Sequence, residues 1–198
     1  MTDIFGWIAA AIGISASIPQ MWRVLRSGTS AGISMRLWQI NLATTAAWAV
    51  HGFLVGSLQM QYPNIIGATL SLVILVFVLR DRKEGYLWVT VVTVVLGLIL
   101  VGIDAWLGPV AFGLLVVIPQ LVGQIAQLRS LLVTADPAGV SAPFLAIFLL
   151  GQGLWFVYGI AFNDWALIIC AAAMLAIGSI NLVTCLVRQR RAKVALAV

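Results

Sequence analysis

The chain has 198 residues, of which 63% are hydrophobic and only 9% are charged. Because a soluble domain carries about 25% charged residues, this composition cannot cover a globular surface with polar groups and excludes a soluble protein. The net charge of +5 is spread over the connections between apolar runs, which indicates membrane orientation and not binding to nucleic acid. The sequence therefore predicts an integral membrane protein in contact with the lipid bilayer.

Three apolar runs make up the first part of the chain. A helix that crosses the hydrocarbon core needs about 20 predominantly apolar residues, and the first run extends from Ile4 to about Leu25. We interpret it as a retained helix, because residues 1–3 lack the cationic region of a signal peptide. The second predicted helix runs from about Met35 to Val55. The third begins at Pro63, which suits the first turn of a helix, and reaches Leu79.

A cluster of charges at residues 80–85 must lie outside the hydrocarbon, and it separates the third helix from a run rich in Val and Leu. That run, from Tyr86 to Ile103, is the fourth predicted helix. After a connection at 104–109, the last three predicted helices span about Val110 to Leu128, Phe144 to Phe162 and Trp165 to Val187. The dipeptide Asn163-Asp164 predicts a tight turn between the last two.

Two copies of one pattern occur in the chain. The first copy consists of Ile18-Pro19-Gln20, Gly32-Ile33-Ser34 and Trp48, and the second of Ile118-Pro119-Gln120, Gly139-Val140-Ser141 and Trp155. Three elements that recur in the same order at nearly constant spacing indicate a duplicated module. The fourth predicted helix has no counterpart in this repeat.

The distribution of positive charge predicts the orientation of the chain. Threaded as seven spans, the chain carries all 11 Lys and Arg residues on one side of the membrane. The positive-inside rule then predicts an N-terminus outside and a C-terminus in the cytoplasm. Without the fourth helix as a span, Arg129 and the basic C-terminal residues would lie on the wrong side, so we predict that this helix also crosses.

A three-helix unit ends on the side opposite to its start, so a duplicated unit needs one extra span to keep its orientation. We therefore predict an all-α membrane protein with seven transmembrane helices, arranged as two parallel three-helix bundles joined by a linker helix. Such an arrangement places a substrate site between the repeats, near the midplane. The predicted units are a first repeat at 1–83, a linker helix at 84–107, a second repeat at 108–188 and a basic cytoplasmic tail at 189–198.

These motifs resemble the PQ-loop superfamily and, within it, the SWEET sugar transporters and their half-size SemiSWEET relatives. The resemblance covers the whole chain and rests on the two copies above, on Ser17 and Val117 before them, and on Pro63-Asn64. It implies a facilitative, uncoupled sugar uniporter or efflux protein that works by alternating access. It also implies a place in the cell inner or plasma membrane.

Trp48 and Trp155 are the first expected substrate contacts. Both lie away from the ends of their helices, whereas most other Trp residues lie at run ends and suit interfacial anchoring. The resemblance implies that the matching Trp lines the pocket, where its face could stack on a sugar ring. Thr44 and Gly151 lie one turn before the two Trp residues and are expected to set the width of the pocket.

Asn64 is the second kind of expected contact. The resemblance implies that the matching Asn of each repeat hydrogen-bonds sugar hydroxyls, although a buried Asn can also join two helices. The second repeat has Ala171 at the corresponding place. The expected pocket is therefore asymmetric and has one amide where the family has two.

Pro19 and Pro119 lie inside helical patterns, where a proline removes one backbone hydrogen bond. The sequence alone leaves open whether each is a static kink or a hinge. The resemblance implies a hinge that lets the cytoplasmic end of the first helix of each repeat swing. The adjacent Gln20 and Gln120 could satisfy the freed backbone groups.

His51 and Tyr158 follow the two Trp residues by one turn, where the resemblance implies an outer gate, and we include Asp164 in it. A proton relay through His51 is the alternative. Coupled transporters usually carry carboxylates within the membrane, whereas Asp104 and Asp164 are predicted at the ends of segments. We therefore expect uncoupled transport.

Two other functions stay open. An exporter of an amino acid or another small polar solute would need buried charge to match a zwitterion, and the predicted spans show none. A non-transporting membrane receptor would act independently of the Trp pair. One His and six carboxylates offer no nucleophile–base pair or metal cluster, so we expect no enzyme, cofactor or metal site. The chain could also form a homo-oligomer.

Overall fold

The computed structural model describes the backbone of residues 2–27, 30, 34–133 and 142–195, and the side chains of 4–15, 22, 26, 30, 34–133 and 142–191. These residues form seven α-helices. The helices are α1 (Thr2–Ser27), α2 (Met35–Leu54), α3 (Leu58–Arg82), α4 (Tyr86–Leu107), α5 (Pro109–Val133), α6 (Ala142–Phe162) and α7 (Trp165–Ala195). The predicted all-α class is confirmed for this part of the chain.

Five helices, α3 to α7, are long and apolar enough to cross a membrane, and α1 contributes the shorter apolar stretch Ile4–Ser15 from its described side chains. The chain is therefore a helical protein with the character of a multi-pass membrane protein. Helix α2 is not among the five. Its polar residues Gln39, Asn41 and His51 lower the mean hydropathy of the helix. All three side chains are buried or half-buried in the protein.

Serine side chains fix the starts of α2 and α3. The hydroxyl of Ser34 accepts a hydrogen bond from the backbone N–H of Leu37, and that of Ser57 accepts one from Met60. A helix start leaves backbone N–H groups without intrahelical partners, and an N-cap serine satisfies one of them. Gly56 and Gly108, in two of the tight turns, have φ values of 70° and 84°, which favour glycine.

The predicted start of the third helix is wrong. Helix α3 begins at Leu58, so Pro63 lies inside the helix and not in its first turn. The cap at Ser57 starts the helix early, and the missing N–H of Pro63 then leaves the carbonyl of Gln59 without its usual intrahelical donor. Asn64, expected at the start of the helix, lies in its second turn.

Several predicted helix ends are also too early, among them those of α4, α5 and α7. Helix α4 continues to Leu107, so Asp104 lies inside it. Helix α5 reaches Val133, because Leu131 is buried against Leu145 and Cys185. Helix α7 extends to Ala195 and includes most of the predicted basic tail. Basic side chains suit a helix C-terminus.

Arg188, in this extension of α7, donates from Nη1 to the carbonyl oxygens of Leu131 and Leu132, the latter at 2.8 Å. These carbonyls belong to the last turn of α5, where the oxygens lack intrahelical partners. The contact therefore ties the ends of α5 and α7 together.

The helices pack in a repeated spatial order. Helix α3 packs against both α1 and α2, and α7 packs against both α5 and α6. Helix α1 also contacts α6, and α4 lies against α2 and α5. Thus the third helix of each group of three lies between the other two, and the two groups meet through α1–α6 contacts and through α4.

Successive helices run in opposite directions, which gives the protein two different ends. Near the start of α1, a Cβ atom added to Gly6 would lie 2.6 Å from Cε2 of Tyr158, near the end of α6. We call this the acidic end, because Asp104 and Asp164 lie there. At the basic end, the backbone N–H of Ser30 donates to Asp81 at 2.7 Å, and Arg82 donates to Ser30. The described cations of the basic end are Arg26, Arg36, Arg80, Arg82, Lys83, Arg129, Arg188, Arg190 and Arg191.

Candidate functional site

A central cavity of about 400 Å³ lies between the two groups of helices. Its polar lining residues are Asn41, Thr44, Thr45, Asn64, Gln120 and Gln152, and its other lining residues are Gly13, Trp48, Met60, Trp155, Leu167, Cys170 and Ala171. Among these described lining residues none is charged. The wall therefore suits a neutral ligand that has both hydroxyl or amide groups and an apolar face.

Both members of the duplicated Trp pair, Trp48 and Trp155, line this cavity. The Trp48 ring is buried and meets Phe112 edge to face, with centroids 4.9 Å apart. The Trp155 ring meets Tyr158 in the same way, at 5.7 Å. Edge-to-face packing favours one orientation of each indole. The cavity is thus bordered by two oriented aromatic rings, one from α2 and one from α6.

Asn64 lines the cavity from α3, and its amide nitrogen donates to the carbonyl oxygen of Met60 at 2.8 Å. This bond within the helix differs from the helix-to-helix bond that a buried Asn can form. No described residue donates to its amide oxygen, which can accept a hydrogen bond from a ligand. Ala171 lines the same cavity from α7 and is buried. The wall is therefore asymmetric at these corresponding places.

Asn41 is a lining residue that the sequence prediction missed. Its amide nitrogen donates to the Ser71 hydroxyl at 2.8 Å, and that hydroxyl donates to the carbonyl oxygen of Gly67 at 2.7 Å. The first group of helices thus supplies a second amide, held by α3. Asn41 precedes Thr44 by three residues and Trp48 by seven, so the three side chains lie on one face of α2. This spacing could have identified Asn41 from the sequence.

Gly151, an expected pocket residue, does not line the central cavity but a neighbouring cleft. It lines an apolar cleft of about 660 Å³ between α1 and α6. A Cβ atom at Gly151 would lie 3.3 Å from Cγ2 of Ile12. The cleft and the central cavity share Gly13, Gln152 and Trp155. Gly151 therefore allows a close contact between α1 and α6 beside the cavity.

Of the two expected hinges, only the second can be described fully. Pro119 lies inside α5, and Gln120 beside it lines the central cavity. Pro19 and Gln20 belong to the helical backbone of α1, but their side chains lie outside the described residues. Gly32, Ile33 and the second Gly-Val-Ser motif at 139–141 also lie outside them.

At the acidic end, His51 lies between two carboxylates. Its Nδ1 is 2.8 Å from Oδ2 of Asp104, and its Nε2 is 3.1 Å from Oδ2 of Asp164. The His51 side chain is 1% exposed and each carboxylate 4%. The imidazole stacks on Phe112 with centroids 5.1 Å apart, and it is nearly perpendicular to the Trp48 ring at 5.4 Å. The structure thus brings together His51 and Asp164 of the expected gate.

Asp104 is the third member of this cluster, and the sequence prediction placed it in a connection. The carboxylate is buried in α4, which continues one turn further than predicted. Hydrophobic periodicity could not identify Asp104 as a buried helical residue. It lies near the end of the apolar run, where a charged residue predicts a loop. Its partner on α2 is visible only in the folded chain.

Asp164 has a second contact besides His51. Its Oδ1 accepts a hydrogen bond from the backbone N–H of Leu167 at 3.1 Å, in the first turn of α7. A side-chain oxygen at this position satisfies a free N–H at a helix start. Asp164 therefore joins α2 to the start of α7.

Tyr158, the other expected gate residue, joins α6 to the start of α3. Its hydroxyl lies 2.9 Å from Oγ of Ser57 and donates to Oε1 of Gln59 at 3.2 Å. Together with Asp164, these residues line a small cavity of about 210 Å³ at the acidic end. Tyr158 and the His51 cluster thus make separate polar links across this end.

Comparison with protein-family models gave no match, and comparison with curated proteins gave none. The chemistry of the site therefore rests on the residues of this chain. They form a cavity with neutral polar walls and two aromatic rings, next to a buried cluster of one imidazole and two carboxylates.

Proposed function

We propose that the protein is a membrane transporter that moves a neutral polar solute, a sugar, by facilitated and uncoupled transport. The observation that carries this proposal is the central cavity, in which Trp48 and Trp155 of the two groups meet neutral hydrogen-bonding side chains. A sugar ring has an apolar face for an indole and hydroxyl groups for amides. The PQ-loop and SWEET resemblance of the sequence gives the same function.

The neutral wall favours a sugar over a free amino acid. A zwitterion brings two charges, and burial of a charge without a partner is costly. The described lining offers amides and hydroxyls but no side chain of opposite charge. The volume of about 400 Å³ lies toward the lower part of the range of about 300–1,000 Å³ for ligand pockets. It suits a small sugar.

The helix order supports alternating access in a layout of three helices, a linker and three helices. In this proposal all seven helices cross the membrane, α1 and α2 included, and α4 is the linker. The cavity would be reached alternately from the two ends, with bending at Pro19 and Pro119. The positive-inside rule assigns the basic end to the cytoplasm and the acidic end, with the N-terminus, to the outside of the cell membrane.

The test is uptake of radiolabelled glucose and sucrose into proteoliposomes, with and without a pH gradient. We expect saturable uptake that needs no gradient to drive it, and loss of most of this uptake in Trp48→Ala and Asn64→Ala. The matched control is Trp88→Ala, because Trp88 is 74% exposed on α4 and lies away from the cavity. Absence of sugar uptake by well-folded protein would reject the sugar, and alanine and serine uptake would then test the amino-acid exporter.

A further inference from the structure

The cluster of His51, Asp104 and Asp164 is buried in the protein, and its residues are not among those that line the central cavity. His51 and Asp104 lie in α2 and α4, and Asp164 lies at the start of α7. Ionisable groups are costly within a membrane and are usually functional there. These three groups lie at the acidic end, and His51 contacts the ring of Trp48. We therefore infer that the cluster has a function.

The protonation of His51 decides how many contacts the cluster can make. A neutral imidazole has one N–H donor, and an imidazolium has two. Both ring nitrogens lie within hydrogen-bond distance of a carboxylate oxygen. With both carboxylates ionised, only the imidazolium satisfies both contacts at once. Loss of its proton leaves one carboxylate without its donor in a buried place.

The surroundings of the ring leave this proton with few other partners. Among the described residues, Asp104 and Asp164 are the charged groups that face His51, and α5 presents the ring of Phe112. Helix α7 also carries the buried Cys170 thiol near Asp164. The phenol of Tyr158, from α6, is bound to Ser57 and Gln59 of the α3 start.

We propose that His51, Asp104 and Asp164 form a proton-binding site, and that the bound proton holds the acidic end closed. The inference rests on the proposed alternating access. Asp104 acts as the positioning residue, because its bond to Nδ1 orients the ring so that Nε2 faces Asp164. The solute site is linked to the proton site through the edge contact between Trp48 and His51.

Opening of the acidic end separates α2 from the start of α7 and breaks the bond between His51 and Asp164. The closed state then holds one proton more tightly than the open state, and by linkage a rise in pH favours the open state. A lost hydrogen bond to a charged group corresponds to a change of at least about tenfold in the open-to-closed ratio. Transport therefore responds to the pH outside, although no proton needs to cross the membrane.

The experiment measures distances across the acidic end by double electron–electron resonance in the full chain, reconstituted in nanodiscs. Spin labels at Leu54→Cys and Trp165→Cys report on α2 and α7, since both side chains are exposed. Cys170→Ala and Cys185→Ala remove the native thiols. The open state gives the longer label distance. We expect the ratio of the open to the closed population to rise at least about tenfold when the pH is raised from about 6 to about 9.

His51→Gln is the first test variant, because its amide keeps hydrogen-bonding groups but does not titrate in this range. We expect its distance distribution not to depend on pH. Asp104→Asn is the second variant and keeps the shape of the carboxylate. We expect it to shift the open population upward at pH 6 and to reduce the response to pH, and it serves as the test if His51→Gln does not fold.

Two outcomes would overturn the proton site. In the first, the distance distribution of the parent protein does not change with pH. In the second, His51→Gln and Asp104→Asn respond to pH as strongly as the parent protein does. Sugar uptake by the parent protein, which keeps the cavity-lining Cys170, separates this failure from that of the proposed function. Sugar uptake combined with label distances that do not depend on pH would reject the proton site and leave the proposed sugar transport standing. pH-dependent distances without sugar uptake keep the proton site and reject the sugar.

Discussion

Asn64 of α3 and Ala171 of α7 line the same cavity, one with an amide and the other with a methyl group. They occupy corresponding places in the two predicted repeats, and the wall differs between them by one hydrogen-bonding side chain. The cavity is thus polar chiefly on the side of α2 and α3, where Asn41, Thr44 and Thr45 also lie. A solute would bind with its hydroxyls toward this side.

We expect Ala171→Asn to tighten sugar binding by about twofold to about 13-fold, because one additional hydrogen bond contributes about 0.5–1.5 kcal/mol. The measurement is the concentration of unlabelled sugar that halves uptake of labelled sugar. Ala171→Val is the matched control, since it adds similar bulk without an amide and should weaken binding. Equal effects of the two variants would mean that the added amide does not reach the solute.

Asn41→Ala should weaken sugar binding several-fold with little change in maximal rate, because it removes an amide from the cavity wall. Ser71→Ala leaves this amide in place but removes its 2.8 Å bond to the Ser71 hydroxyl. We expect Ser71→Ala to have a smaller effect of the same sign, measured as half-saturating concentration. An effect of Ser71→Ala larger than that of Asn41→Ala would argue that Asn41 is structural.

Gly113→Ala should lower the stability of the protein by about 1–3 kcal/mol. A Cβ atom at Gly113 would lie 2.8 Å from the Cα atom of Ala166, where α5 and α7 are in close contact. The measurement is the midpoint of thermal unfolding in detergent. Gly123→Ala, on the same helix, is the control, because nothing lies within 4 Å of its added Cβ. A fall of equal size in both variants would contradict the contact.

Tyr158→Phe should favour opening of the acidic end, because it removes the hydroxyl that contacts Ser57 and Gln59. A hydrogen bond contributes about 1 kcal/mol, so we expect about a fivefold increase in the open-to-closed ratio. The measurement is the label distance between α2 and α7. Tyr62→Phe is the control, since Tyr62 is 52% exposed. An unchanged ratio in Tyr158→Phe would show that its hydroxyl is not part of the closure.

The sequence predicted those parts of the fold that depend on local pattern. The turn at Asn163-Asp164 and the number of helices follow from apolar runs and the residues between them, and the described part of the chain confirms both. The start of α3 was missed because the prediction rested on Pro63, whereas the cap of Ser57 decides it. The end of α5 was missed because burial of Leu131 against other helices extends it.

The candidate site divides in the same way. Trp48 and Trp155 could be selected because they recur in the two copies, and Asn64 because of the family resemblance. All three line one cavity in the structure. Asp104 could not be selected, since its importance comes from a partner on α2 far away in sequence. Gly151 was selected by its spacing to Trp155, but it lines the apolar cleft between α1 and α6 and not the central cavity.

Asp164 accepts hydrogen bonds from the backbone of Leu167 and contacts His51 with the same carboxylate. In the proposed open state, His51 moves away and this carboxylate keeps its hydrogen bond to Leu167 but loses its second partner. Leu167 and Ala171 lie in the first two turns of α7 and line the cavity. In the proposed transport cycle, a movement of the buried cluster at the acidic end therefore reaches the cavity wall through the start of α7.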